Sequence, residues 1–126
     1  MSTHMNINTL NVNKIIKDKI YITLDNLYDE LDTSYNTKKM LECEKDFGEM
    51  VVNETRIKLI KDFIKVFKLL RKKETVLVLI TLHEIQKRIK LHLYQLRRMK
   101  MKKEICEDNK MYFTVLLRVA YSLRQL

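Results

Sequence analysis

Residues 74–103, ETVLVLITLHEIQKRIKLHLYQLRRMKMKK, decide how this chain folds. The opening TVLVLIT is rich in β-branched residues and, taken alone, suits a buried strand. Two features argue against that. No partner strand is visible elsewhere, and an apolar stripe continues at helical spacing through Val78, Leu82, Ile85, Ile89, Leu93 and Leu96. One helix over 74–103, buried on most sides at its start, accommodates both patterns. At roughly 1.5 Å per residue it would run about 45 Å.

The flanking sequence adds further helices. The chain has 126 residues, enough for one domain with a real core, and 46% of them are hydrophobic against 33% charged. It holds no proline and one glycine, Gly48, whereas turn-rich β architectures need many turn residues. Residues 1–10 are polar without a periodic stripe and are expected to form a flexible tail, leaving 11–126 as a single helical domain. A first helix is expected from an N-cap at Asn11 or Asn13 to about Leu31, on Ile16, Ile20, Leu24, Leu27 and Leu31, stopped by the turn formers Asp32-Thr33-Ser34. A second should occupy 36–51 with Met40, Cys43, Phe47 and Met50 inward. A third should occupy 54–72 on Ile57, Ile60, Phe63, Ile64, Phe67 and Leu70. After the long helix, 104–109 reads as a polar break, and a last helix over 108–125 carries Tyr112, Val115, Leu116, Val119 and Leu123. The fold class is therefore all-α, an antiparallel bundle of four to five helices around a long one at about 74–103.

Charge divides along the chain. The net charge is +9. Residues 1–54 hold six Lys/Arg and ten Asp/Glu, a balance of −4, and residues 55–126 hold nineteen and six, a balance of +13. Such asymmetry suits a nucleic-acid surface, and it equally suits acidic and basic portions that meet within one fold or one assembly. The sharpest feature is the run Lys87, Arg88, Lys90, Arg97, Arg98, Lys100, Lys102 and Lys103, with no acid between Glu84 and Glu104. Helical spacing places Lys87, Lys90, Arg97 and Arg98 near one side with Tyr94 among them. These nine residues are the candidate interaction surface. Contact with phosphates or with an acidic partner helix accounts for them, and so does a solvated face.

Chemistry-bearing constellations are missing from the sequence. His4, His83 and His92 are too scattered to share a metal ion, and neither Cys43 nor Cys106 belongs to a CxxC pair or has a neighbouring histidine. One glycine cannot build a phosphate-cradling loop. The expectations are no enzymatic activity, no cofactor, no metal and no small-molecule substrate. The cysteines read as buried free thiols of a reducing, intracellular compartment, with a bridge between them as the alternative. The start MSTHMNINTLN lacks the pattern of a secretory signal, and the longest apolar run, 76–80, is far below the roughly 20 residues that span a bilayer.

From Leu69 onward the chain resembles the helical domain of GINS subunits, the four related proteins of the eukaryotic replicative helicase. The resemblance rests on LLRKKETVLVLITLHEIQKRIK and EDNKMYFTVLLRVAYSL. In the first, Arg71, Lys72 and Lys73 lead into an apolar segment at 75–82 that Ile85, Lys87, Arg88 and Ile89 continue. In the second, Glu107, Tyr112 and Phe113 match the opening of the family's last helix. The resemblance implies a non-catalytic scaffold in a replication complex, a nuclear location, a hetero-oligomer with protein partners, and an apolar seam exposed for sister subunits. Two alternatives remain beside it, a basic helical nucleic-acid-binding protein and a viral-type helical host-interaction factor that grips an amphipathic helix.

Overall fold

A computed structural model describes the backbone of residues 3–125 and the side chains of residues 11–124. Four helices make up the fold: α1 (Thr3–Glu44), α2 (Phe47–Arg71), α3 (Thr75–Arg98) and α4 (Lys103–Gln125). No strand occurs among the described residues. Short connections set sequential neighbours side by side, so the chain is the all-α bundle its periodicity predicts.

The helix on which the other three pack is α2. Its sequence shows why. Val52, Ile57, Leu59, Ile60, Phe63, Ile64, Val66, Phe67 and Leu70 cover more than one face, and all are buried. A helix so apolar around its circumference must be covered from several sides. α1 covers it with Ile20, Leu24 and Leu27, α3 with Val78, Leu82, Ile85 and Ile89, and α4 with Phe113, Leu116 and Ala120. The rings of Phe63 and Phe113 stack at 6.1 Å between centroids. Burying each such side chain contributes roughly 1.5–3 kcal/mol.

α1 is one uninterrupted helix of 42 residues, and this changes the expected boundaries. Residues expected as a tail are helical from Thr3, and Met1 and Ser2 lie outside the described residues. The expected turn at Asp32-Thr33-Ser34 is helical too. Thr33 Oγ1 donates to the Asp29 carbonyl at 3.1 Å and Thr37 Oγ1 to the Thr33 carbonyl at 3.0 Å. Each hydroxyl is thus satisfied one turn back in its own helix instead of capping a new one. Ser34 is buried, and its carbonyl accepts from Asn53 Nδ2 of α2 at 3.0 Å, a contact a larger side chain would obstruct. The helix expected over 36–51 is therefore divided between α1 and α2. Of its expected inward residues, Met40, Cys43 and Phe47 are exposed and Met50 is half-buried, whereas Leu41, outside the expected stripe, is buried.

The turns explain where helices stop. Lys45, Lys73 and Lys100 have φ of 55°, 58° and 55°. Each is the left-handed residue just past a helix end, the position glycine usually holds. After α2, the Lys73 N–H donates to the Leu70 carbonyl and the Glu74 N–H to the Leu69 carbonyl, both at 3.1 Å. After α3, the Lys100 N–H donates to the Arg97 carbonyl at 3.0 Å and the Met101 N–H to the Leu96 carbonyl at 3.1 Å. Both pairs form the Schellman motif. The second ends α3 at Arg98, so α3 has 24 residues and runs about 36 Å. The expected break at 104–109 is instead the beginning of α4, with Glu104 in its first turn beside the positive end of the helix. Asp46 caps α2, its carboxylate accepting from the Glu49 N–H at 3.1 Å.

Candidate interaction surface

α3 buries Val78, Leu82, Ile85, Ile89 and Leu96 of the predicted stripe, with Leu93 half-buried and His92 added to the buried side. The opposite face points to solvent. Val76, Ile80, His83, Lys87, Leu91, Tyr94 and Arg98 recur there at spacings of three and four, and all are exposed. Burial on most sides at the start of this helix does not occur. Val76 is 67% exposed, Ile80 57% and Leu77 48%, with Leu79 beside them also exposed. Only α2 and α4 pack on α3 in any number, so TVLVLIT has more apolar circumference than its neighbours can cover. The outcome is an apolar face that continues, two turns on, into a basic one.

All nine candidate residues are exposed, but they do not lie on one stripe. Lys87, Lys90, Tyr94, Arg97 and Arg98 follow the outer side of α3, where Arg98 Nη1 donates to the Tyr94 hydroxyl at 3.4 Å. Lys87 pairs with Glu84 at 3.7 Å within the same helix. Arg88 turns to α2 and binds the Asp62 carboxylate. Lys100 and Lys102 belong to the turn, and Lys103 opens α4 and reaches Glu107 at 3.9 Å. Among the described residues, Lys90, Arg97, Lys100 and Lys102 form no ion pair. Exposed ion pairs such as Lys87–Glu84 contribute about 0–1 kcal/mol. A phosphate or carboxylate arriving at this face would therefore compete with little.

A polar junction that sequence spacing does not reveal lies behind α3. Arg56 of α2 donates to Glu30 of α1 at 3.1 Å and to Asn109 Oδ1 of α4 at 2.6 Å. Asn109 Oδ1 also accepts from His92 Nε2 of α3 at 3.2 Å, and Asn109 Nδ2 donates to the Ile105 carbonyl at 2.8 Å. One side chain from each helix thus meets in a single network. The Arg56 guanidinium lies over the rings of Tyr112 and Phe113, 5.0 and 5.5 Å from their centroids. His92 stands edge-on to Phe113 at 5.6 Å, and its Nδ1 is buried with no partner. Burial lowers the His92 pKa, opposed by its bond to Asn109 and reinforced by the charge of Arg56. Burial likewise pushes the Tyr112 phenol up to about 12. The junction ties the four helices together, its groups pairing with one another except at His92 Nδ1. The available signals were that His92 falls on the buried stripe of α3 and that Asn109 lies one turn beyond Ile105.

Cys43 is exposed and Cys106 half-buried, and both are free. The expectation of two buried thiols is thus corrected. Among the described residues, no group of three or more His, Cys, Asp or Glu is placed to hold a metal ion. No described helix is long and apolar enough to cross a membrane. No protein-family model, curated protein or solved structure matches this chain.

Proposed function

We propose that the chain is a non-catalytic interaction subunit that docks on a protein partner through the outer face of α3. The observation that supports this reading is the exposure of Val76, Leu77, Leu79 and Ile80 on adjacent turns. Clustered apolar exposure of this kind marks a contact surface, because leaving it in water forgoes burial worth roughly 25 cal/mol per Å². The basic half of the same face then selects the partner. Lys87, Lys90, Tyr94, Arg97 and Arg98 favour a helix or strand that is apolar at one end and acidic at the other. The specific form suggested by the sequence resemblance is a GINS-like replication subunit in the nucleus, held by sister helical subunits.

Co-purification tests this. The tagged chain, recovered from its own cell extract with nuclease present, should bring down stoichiometric partners. Val76→Lys with Ile80→Lys should lose them while keeping its helicity, since exposed substitutions move stability by roughly 0.5 kcal/mol or less.

A second reading is favoured by one observation, the unpaired state of Lys90, Arg97, Lys100 and Lys102 among the described residues. It is direct nucleic-acid binding. Duplex affinity would fall with salt at a slope of roughly −0.9 per phosphate neutralised, and Lys90→Glu with Arg97→Glu would flatten it. Partners that survive nuclease and depend on Val76 and Ile80 decide for the first reading.

A further inference from the structure

At one end of the bundle, α1, the last turn of α2, the first turn of α3 and the last turn of α4 surround a cleft of about 690 Å³. That lies within the roughly 300–1,000 Å³ of small-molecule sites. Its apolar lining comes from the half-buried Ile16 and Leu123 and from the core residues Ile20, Leu70 and Val78. Among the described residues its cations are Lys17, Arg71, Lys73 and Arg124, set against the single acid Glu74. None of the four cations forms an ion pair among the described residues. Lys17 and Arg71 both lie over the Tyr21 ring, each 5.9 Å from its centroid, so the ring holds two cations at the cleft.

Two further features call for an acceptor here. Arg124 Nε is shielded from solvent and has no hydrogen-bond partner. A buried donor left that way costs about 1–3 kcal/mol. The cleft is also where α3 begins, and its N-cap residue Glu74 makes no side-chain cap bond. Thr75, the first residue of α3, lines the cleft, at the positive end of that helix. Guanidinium groups and a helix start together suit phosphate, whose oxygens take several donors at once. Apart from the Asn13 amide, the rest of the described lining is aliphatic, and the face of the Tyr21 ring is already taken by cations. An alkyl chain fits such a surface better than a nucleobase does.

We propose that this cleft binds a phosphate-headed aliphatic amphiphile, its phosphate held by Arg71, Lys73 and Arg124 at the start of α3 and its chain laid over Ile16, Leu70 and Leu123. The site is separate from the outer face of α3 and does not depend on the function proposed for that face.

Isothermal titration of the full chain with octyl phosphate below its micelle concentration tests the site. Inorganic phosphate and octyl glucoside provide the head alone and the tail with a neutral head. Octyl phosphate should bind at one site, on the order of tenfold or more tighter than either. Arg71→Gln and Lys73→Gln should each weaken it on the order of tenfold, whereas Lys90→Gln on another face should not. Ile16→Trp, a half-buried cleft position, should weaken octyl phosphate while sparing inorganic phosphate. Equal binding of octyl phosphate and octyl glucoside would overturn the proposal. So would unchanged affinity in both cation variants together with its loss in Ile80→Lys. Vesicles of phosphatidic acid in phosphatidylcholine distinguish the source of the head. Binding that octyl phosphate displaces assigns a membrane lipid, and octyl phosphate binding without vesicle binding assigns a soluble ligand.

Discussion

Asn109 accepts from Arg56 and His92 through one oxygen and donates to its own helix through its nitrogen. Truncating it to alanine would leave a partly buried guanidinium and a buried imidazole each short of a partner. Asn109→Ala should cost about 2 kcal/mol, read as a lower urea midpoint with unchanged slope. His92 adds a pH dependence. Its imidazole is fully buried, and burial holds its pKa below the ordinary value of 6.5. The native state therefore keeps it neutral where the unfolded chain would protonate it. Its contribution is level above about pH 6.5 and falls as pH drops from there toward the lowered native pKa. Between about pH 7.5 and 5.5 the wild type should lose more thermal stability than His92→Gln does. Equal losses would remove His92 as the cause. Lys100 occupies left-handed backbone that costs a non-glycine residue about 1–2 kcal/mol, partly offset by the greater unfolded-state freedom of glycine. Lys100→Gly should raise stability by about 0.5–1 kcal/mol in the same urea assay. None of these roles could be read from the residue types. Lysine does not announce a turn, and asparagine in a polar run does not announce a junction of four helices.

At the scale of elements, periodicity was informative and punctuation was not. The stripes of α2 and α3 could be read because apolar residues three and four apart share one side of a helix, whereas on a strand they would scatter over both faces. Ile57, Ile60, Phe63, Ile64, Phe67 and Leu70 are buried as expected. The ends could not be read, because Lys45, Lys73 and Lys100 stand where glycine would have marked them. Asp32-Thr33-Ser34 carried a turn signature that α1 overrides through back-bonded hydroxyls and the seating of Ser34 against Asn53. Thr33→Pro separates the two structures. In a continuous helix it removes a backbone bond and clashes with the preceding turn, costing about 3 kcal/mol or more. In a turn it would be nearly neutral. Equilibrium unfolding followed by circular dichroism should show the larger loss.

Over the whole molecule, the acidic half meets the basic half at α2, where Glu30 pairs with Arg56, and not at α3. α1 packs along α2, whereas α3 packs against α2 and α4, so the outer face of α3 keeps its cations. The helical class was legible from one glycine, no proline and five stripes, of which that over 40–50 did not hold. The exposed face was not legible from periodicity, because an apolar turn reads the same whether a neighbour covers it or water does. Only the arrangement of helices shows that TVLVLIT has too few neighbours. That surplus is the centre of the functional account. The most direct test is site-specific photo-crosslinking in the cell of origin. A photoreactive residue would replace Ile80 on the outer face of α3, with Lys58, exposed on α2, as the control. The account predicts one discrete protein adduct from position 80, resistant to nuclease, and none from position 58. Crosslinks from position 80 to nucleic acid alone, or no adduct at either position, would contradict it.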